Sequence, residues 1–61
     1  MKITFDKTVL VSNNWILAGT PIELKSMKYT RGVLTHVSVL TDTKDTVEIT
    51  LYPDYSFVIE L

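Results

Sequence analysis

Apolar and polar residues alternate with a period of two along almost the whole chain, and no stretch repeats with the 3.6-residue period of an amphipathic helix. In TVEITLY (46–52), Val47, Ile49 and Leu51 fall on one face, with Thr46, Glu48 and Thr50 on the other. That pattern suits a strand with one buried and one wet face. In YSFVIEL (55–61), Tyr55, Phe57, Ile59 and Leu61 share a face. Pro53-Asp54 stands between the two runs, and proline is preset for the first corner of a β-turn. The two segments are expected to pair as a hairpin.

The other strands follow from the same parity. VLTHVSVLT (33–41) places Val33, Thr35, Val37 and Val39 on one face and Leu34, His36, Ser38 and Leu40 on the other. Apolar groups on both faces suit a central or strongly curved strand, and TDTKDT (41–46) is the polar loop that follows. In PIELKSMKYT (21–30), Ile22 and Leu24 have one parity and Met27 and Tyr29 the other. A one-residue slip near Lys25-Ser26, a β-bulge, brings all four to one side. Arg31-Gly32 then reads as a tight turn or a second bulge, because glycine admits positive φ. At the N-terminus, Ile3, Phe5, Val9 and Val11 share odd parity about a bend at Asp6-Lys7, and Ser12-Asn13-Asn14 is a turn cluster. WILA (15–18) fits either a short strand or a single helical turn.

These segments make one domain over residues 1–61: all-β, with five or six short antiparallel strands in a meander or an SH3-like barrel bent by β-bulges. Closing the sheet is the economical way for so small a chain to protect its edges. A chain of 61 residues buries only about 60% of its unfolded surface. Such domains commonly rely on a disulfide, a metal or a partner. The chain has no cysteine and one histidine, so no disulfide forms and a structural zinc site is not expected. With 46% hydrophobic residues, some apolar side chains must face outward or meet a partner. A homodimer or a docking surface is therefore expected. The N-terminus lacks the apolar core and cleavage site of a signal peptide, and no apolar run approaches a membrane span. The expectation is a complete small cytoplasmic gene product with no membrane partner.

Catalytic chemistry finds little footing. His36 and Ser38 share a strand face about 7 Å apart along the backbone, but a working pair also needs an orienting group and an oxyanion site. Asp42 and Asp45 share a loop, yet Lys44 lies between them and the spacing is not that of a calcium loop. Only Gly19 and Gly32 are present, which excludes a glycine-rich phosphate loop. No catalytic residue, metal or cofactor is assigned.

Two binding readings remain. In PIELKSMKYTRG (21–32), Lys25, Lys28 and Arg31 recur every three residues around Tyr29. With Trp15 as a stacking platform, these residues would make a single-stranded nucleic-acid face of the kind small barrels use. Against this, the chain is acidic, with a pI near 5.6, and regular strand geometry points Lys25 and Lys28 to opposite faces. Residues 1–36 carry five cationic groups against two anionic, and residues 37–61 one against five. Pairing of the two halves across one sheet accounts for that asymmetry. The favoured reading is a protein-binding β domain, an accessory factor or inhibitor of the kind phages and mobile elements encode. Its expected interface is Tyr52, Val58 and Ile59, with the final strand pairing to a second copy at an open edge. Nucleic-acid binding through Lys25, Lys28, Tyr29, Arg31 and Trp15 is the alternative.

Overall fold

The computed structural model describes residues 1–61. It contains seven short strands and no helix: β1 (Lys2–Phe5), β2 (Val9–Val11), β3 (Asn14–Ile16), β4 (Ile22–Thr30), β5 (Val33–Leu40), β6 (Thr46–Thr50) and β7 (Phe57–Glu60). No helix long and apolar enough to cross a membrane is present. Five strands form one antiparallel sheet in the order β6-β5-β4-β1-β7, and β2 and β3 form a separate hairpin. The strand count exceeds the five or six expected because the N-terminal run divides at its bend into β1 and β2, which join different sheets, and residues 14–16 are a strand, not a helical turn.

Two turns carry the sequence logic cleanly. Val11 pairs with Asn14 across Ser12-Asn13, and Thr30 pairs with Val33 across Arg31-Gly32. In both loops the two central residues have positive φ: 48° and 64° in the first, 54° and 79° in the second. That is the type I′ geometry, whose twist matches the flanking strands. Arg31-Gly32 is thus a tight turn and not a second bulge.

The expected bulge in β4 is present. Leu24 pairs with Val39 and Ser26 with Ser38, which leaves Lys25 as the extra residue. The slip lets Ile22, Leu24 and Met27 all reach the core. Tyr29 remains on Met27's side, with its hydroxyl 3.9 Å from the Met27 sulfur. It lies beyond the end of the core and is exposed. A second irregularity has no counterpart in the alternation of the sequence. Lys28 pairs with His36 and Tyr29 with Leu34, so Thr35 has no partner on β4. The Thr35 hydroxyl donates to the Lys28 carbonyl at 3.3 Å, and its own carbonyl accepts from Leu51 N–H at 2.9 Å. This bulge reverses parity along β5. Val37 and Val39 face the core, but Val33, which regular alternation puts on their side, is exposed and Leu34 packs inward in its place.

The expected hairpin of 46–52 with 55–61 does not form. Pro53-Asp54 does make a turn, closed by Tyr55 N–H to the Tyr52 carbonyl at 3.0 Å. The chain then passes to the far side of the sheet. β6 pairs only with β5, and β7 pairs with β1 in the register Lys2 with Glu60 through Phe5 with Phe57. β6 and β7 are the two edges of the sheet, and no ladder joins them into a closed barrel. One pairing joins the two halves of the charge distribution: Lys2 lies opposite Glu60 on β7, while its other neighbour, Glu23 on β4, belongs to its own half.

The core consists of Ile3, Phe5, Val9, Ile16, Leu24, Val37, Val39 and Ile49. Six come from the sheet, and Val9 and Ile16 come from the β2–β3 hairpin. The hairpin is therefore a lid over the inner face of the curved sheet, completing a two-layer body. Phe57 and Ile59 of β7 are half-buried at the margin. The Phe5 ring meets Tyr55 edge-on at 6.1 Å and Phe57 at 6.0 Å, which fastens both the 52–55 turn and β7 to the core.

Candidate functional site

The β2–β3 hairpin positions three exposed apolar side chains close together in the chain. Its base is fixed by Ala18 N–H donating to the Thr8 hydroxyl at 3.1 Å and Gly19 N–H donating to the Phe5 carbonyl at 2.9 Å. Its tip is tied by the Asn14 side-chain amide to the Ser12 carbonyl at 3.0 Å. Val9 and Ile16 are cross-strand partners and both enter the core. Strand alternation then turns the adjacent pair, Leu10 and Trp15, away from the body. Leu10 is 52% exposed, Trp15 67% and Leu17, just beyond β3, 59%. Together they form an apolar ridge on the outer side of the hairpin.

A groove runs along each flank of this ridge. One lies between Lys7–Leu10 and the Asp54–Ser56 segment. The other lies between Asn14–Leu17 and the end of β5 with Thr41, Asp42 and Thr43. The 41–45 loop that bounds the second groove is held by its own bonds. Thr41 N–H donates to the Asp45 carbonyl at 2.8 Å, and Lys44 N–H to the Thr41 carbonyl at 2.9 Å. The Thr43 hydroxyl donates to the Asp45 carboxylate at 3.0 Å. Asp45 thus serves its own loop, while Asp42 lines the groove.

The cationic residues lie elsewhere. Lys25 sits at the β4 bulge, Lys28 lies opposite His36 on the outer sheet face, and Arg31 forms the type I′ turn. Tyr29 falls on the opposite face from Lys28. Trp15 lines a groove with Leu40, whereas Arg31 adjoins Val33 at the other end of β5. Seven strand steps separate those ends, roughly 23 Å at 3.3 Å per residue. The fold does not bring Trp15 to the basic turn.

Tyr52 and Tyr55 meet edge-on at 5.5 Å, with Tyr52 exposed and Tyr55 half-buried against Phe5. Val58 is 61% exposed on the outer face of β7, and Ile59 is half-buried on the inner face. Because β6 and β7 do not pair, Tyr52 and Val58 are not cross-strand neighbours. His36 and Ser38 do share the outer face, but the His36 Nδ1 is engaged with the Thr35 hydroxyl at 2.9 Å. No group of three His, Cys, Asp or Glu side chains is placed to hold a metal ion.

Leu10 and Leu17 escaped the sequence reading. The signal for Leu10 was present: a two-residue turn at Ser12-Asn13 forces Leu10 opposite Trp15, and Val9 inward forces both outward. No family model matches the chain, and neither a curated protein nor a solved structure is significantly similar to it.

Proposed function

We propose that the chain is a non-enzymatic β domain that works by binding another protein, built as an open, SH3-like small barrel. The observation that carries this reading is the ridge of Leu10, Trp15 and Leu17, held outward by a hairpin whose other face is locked in the core. Contiguous apolar exposure on a small body marks a contact surface, and tryptophan is among the residue types enriched at the energetic centres of such surfaces. The flanking grooves offer concave walls on both sides of the anchor. The SH3-like description is supported by three features. The last strand pairs with the first, β4 to β6 form a meander, and a hairpin is inserted between the first two strands of the sheet. That likeness concerns architecture and carries no function by itself. A nucleic-acid face is disfavoured by the separation of Trp15 from the turn at Arg31 and by the acidic pI.

The test is parallel selection from a random peptide pool and a randomised single-stranded oligonucleotide pool. The expected result is enrichment of peptides whose binding resists added salt. That binding falls at least tenfold in Trp15→Ser and is unchanged in Lys28→Ala. Enrichment from the oligonucleotide pool alone, with steep salt dependence and loss in Lys28→Ala, contradicts the reading.

A further inference from the structure

We infer that β7 is the pairing strand for a second copy of this chain, joined antiparallel about a twofold axis that passes beside Val58. This surface is distinct from the Leu10–Trp15 ridge, and the inference stands or falls separately from the proposed function.

The phase of the β1 ladder fixes which backbone groups of β7 are free. Leu24 N–H donates to the Met1 carbonyl and Gly19 N–H to the Phe5 carbonyl, so odd residues of β1 direct their backbone groups toward β4 and the adjoining loop. Asp6 N–H donates to the Ser56 carbonyl at 2.8 Å, so even residues direct theirs toward β7. Residues in an antiparallel ladder alternate in this way. In the observed register Val58 and Glu60 therefore bond to β1, and Phe57 and Ile59 turn their N–H and C=O groups outward.

Nothing in β7 guards that edge. It has no proline, and no residue from 55 to 61 has positive φ. Its single charge, Glu60, lies at one end. The other edge, β6, differs. Its outward backbone groups belong to Thr46, Glu48 and Thr50, because the 37/49 and 39/47 pairs share the bonded phase of Leu51 N–H to the Thr35 carbonyl. Glu48 stands at its centre, the usual device against edge pairing.

The sequence of β7 is self-complementary about a twofold axis. Setting Phe57 of one copy opposite Ile59 of the other lets these outward pairs exchange both of their backbone hydrogen bonds. Val58 then faces its own copy in the close, non-hydrogen-bonded position, covering a side chain that is exposed in the single chain. Glu60 falls opposite Ser56, and the two Glu60 carboxylates lie at opposite ends of the new ladder. An isologous contact of this kind closes on itself and does not propagate. So short a ladder buries less than the roughly 1,200 Å² of standard interfaces, so the dimer is a dissociable one.

Sedimentation equilibrium from dilute to millimolar protein tests the inference. The wild type is expected to dimerise reversibly. Val58→Lys, which sets two cations together on the axis, weakens the dimer at least tenfold, and Glu48→Lys on the other edge leaves it unchanged. A synthetic chain carrying an N-methyl group on the Ile59 amide blocks an outward N–H without touching the β1 ladder. It is expected to stay monomeric with an unaltered circular dichroism spectrum. A wild type that is monomeric at millimolar concentration overturns the inference. So does a dimer that survives N-methylation, or one abolished by Glu48→Lys.

Discussion

Phe5→Ala is expected to lower the stability of the fold by about 3–5 kcal/mol. Phe5 is 1% exposed, and its ring touches both Tyr55 and Phe57. Its neighbours cannot collapse freely onto the space, because its own carbonyl also anchors Gly19 at the hairpin base. Truncating a buried phenylalanine costs about 3–5 kcal/mol. A domain of this length has a total stability of roughly 3–9 kcal/mol at typical values per residue. The loss therefore takes between about a third and all of that margin. Urea unfolding followed by far-ultraviolet circular dichroism checks it, with Phe5→Leu as the milder companion that retains a transition at lower urea. A Phe5→Ala protein with a midpoint near wild type would mean that the Phe5–Tyr55–Phe57 cluster does not hold the fold.

The second large effect concerns the last strand. Removing residues 57–61 is expected to unfold the chain, although β7 is an edge. β1 stands between β4 and β7, so truncation strips one side of its ladder and uncovers Ile3 and Phe5. Half-burial of Phe57 and Ile59 contributes about 1 kcal/mol each on area grounds. The lost backbone bonds add about 0.5–1.5 kcal/mol apiece. The sum approaches the whole stability of the domain. Had β7 paired with β6 in a terminal hairpin, the same deletion would fray one edge and leave β1 intact. Circular dichroism of the truncated chain distinguishes these. A folded product with a cooperative transition contradicts the β1–β7 pairing.

The contrast shows what the pattern of residues conveys. Parity reports which face a side chain takes, so Val9, Val37, Val39, Ile49 and the slip at Lys25 were all legible. Local turn chemistry marked Ser12-Asn13-Asn14, of which Asn14 opens β3, and pointed to Arg31-Gly32. Strand partners are not local. Pro53-Asp54 makes its turn whether or not the flanking segments pair, so the sequence around it cannot report that β7 crosses to β1. The Thr35 bulge was hidden for a related reason. Threonine fits a regular strand as well as a bulge, and only the bonds to Lys28 and Leu51 select the second. Among the candidate contact residues, Trp15 reads from sequence as a stacking platform for the basic stretch. Its place is decided by its partner Leu10, which sets it on a ridge remote from that stretch.

The reading of function rests on that ridge being a surface and not a displaced part of the core. The most direct measurement is the unfolding free energy of Trp15→Ser. An outward cross-strand pair contributes about 0.2–1 kcal/mol, so the variant is expected to fold with a loss inside that range. A loss of several kcal/mol, the size found for buried aromatic truncations, would place Trp15 in the packing of the body and remove the observation on which the proposed function depends.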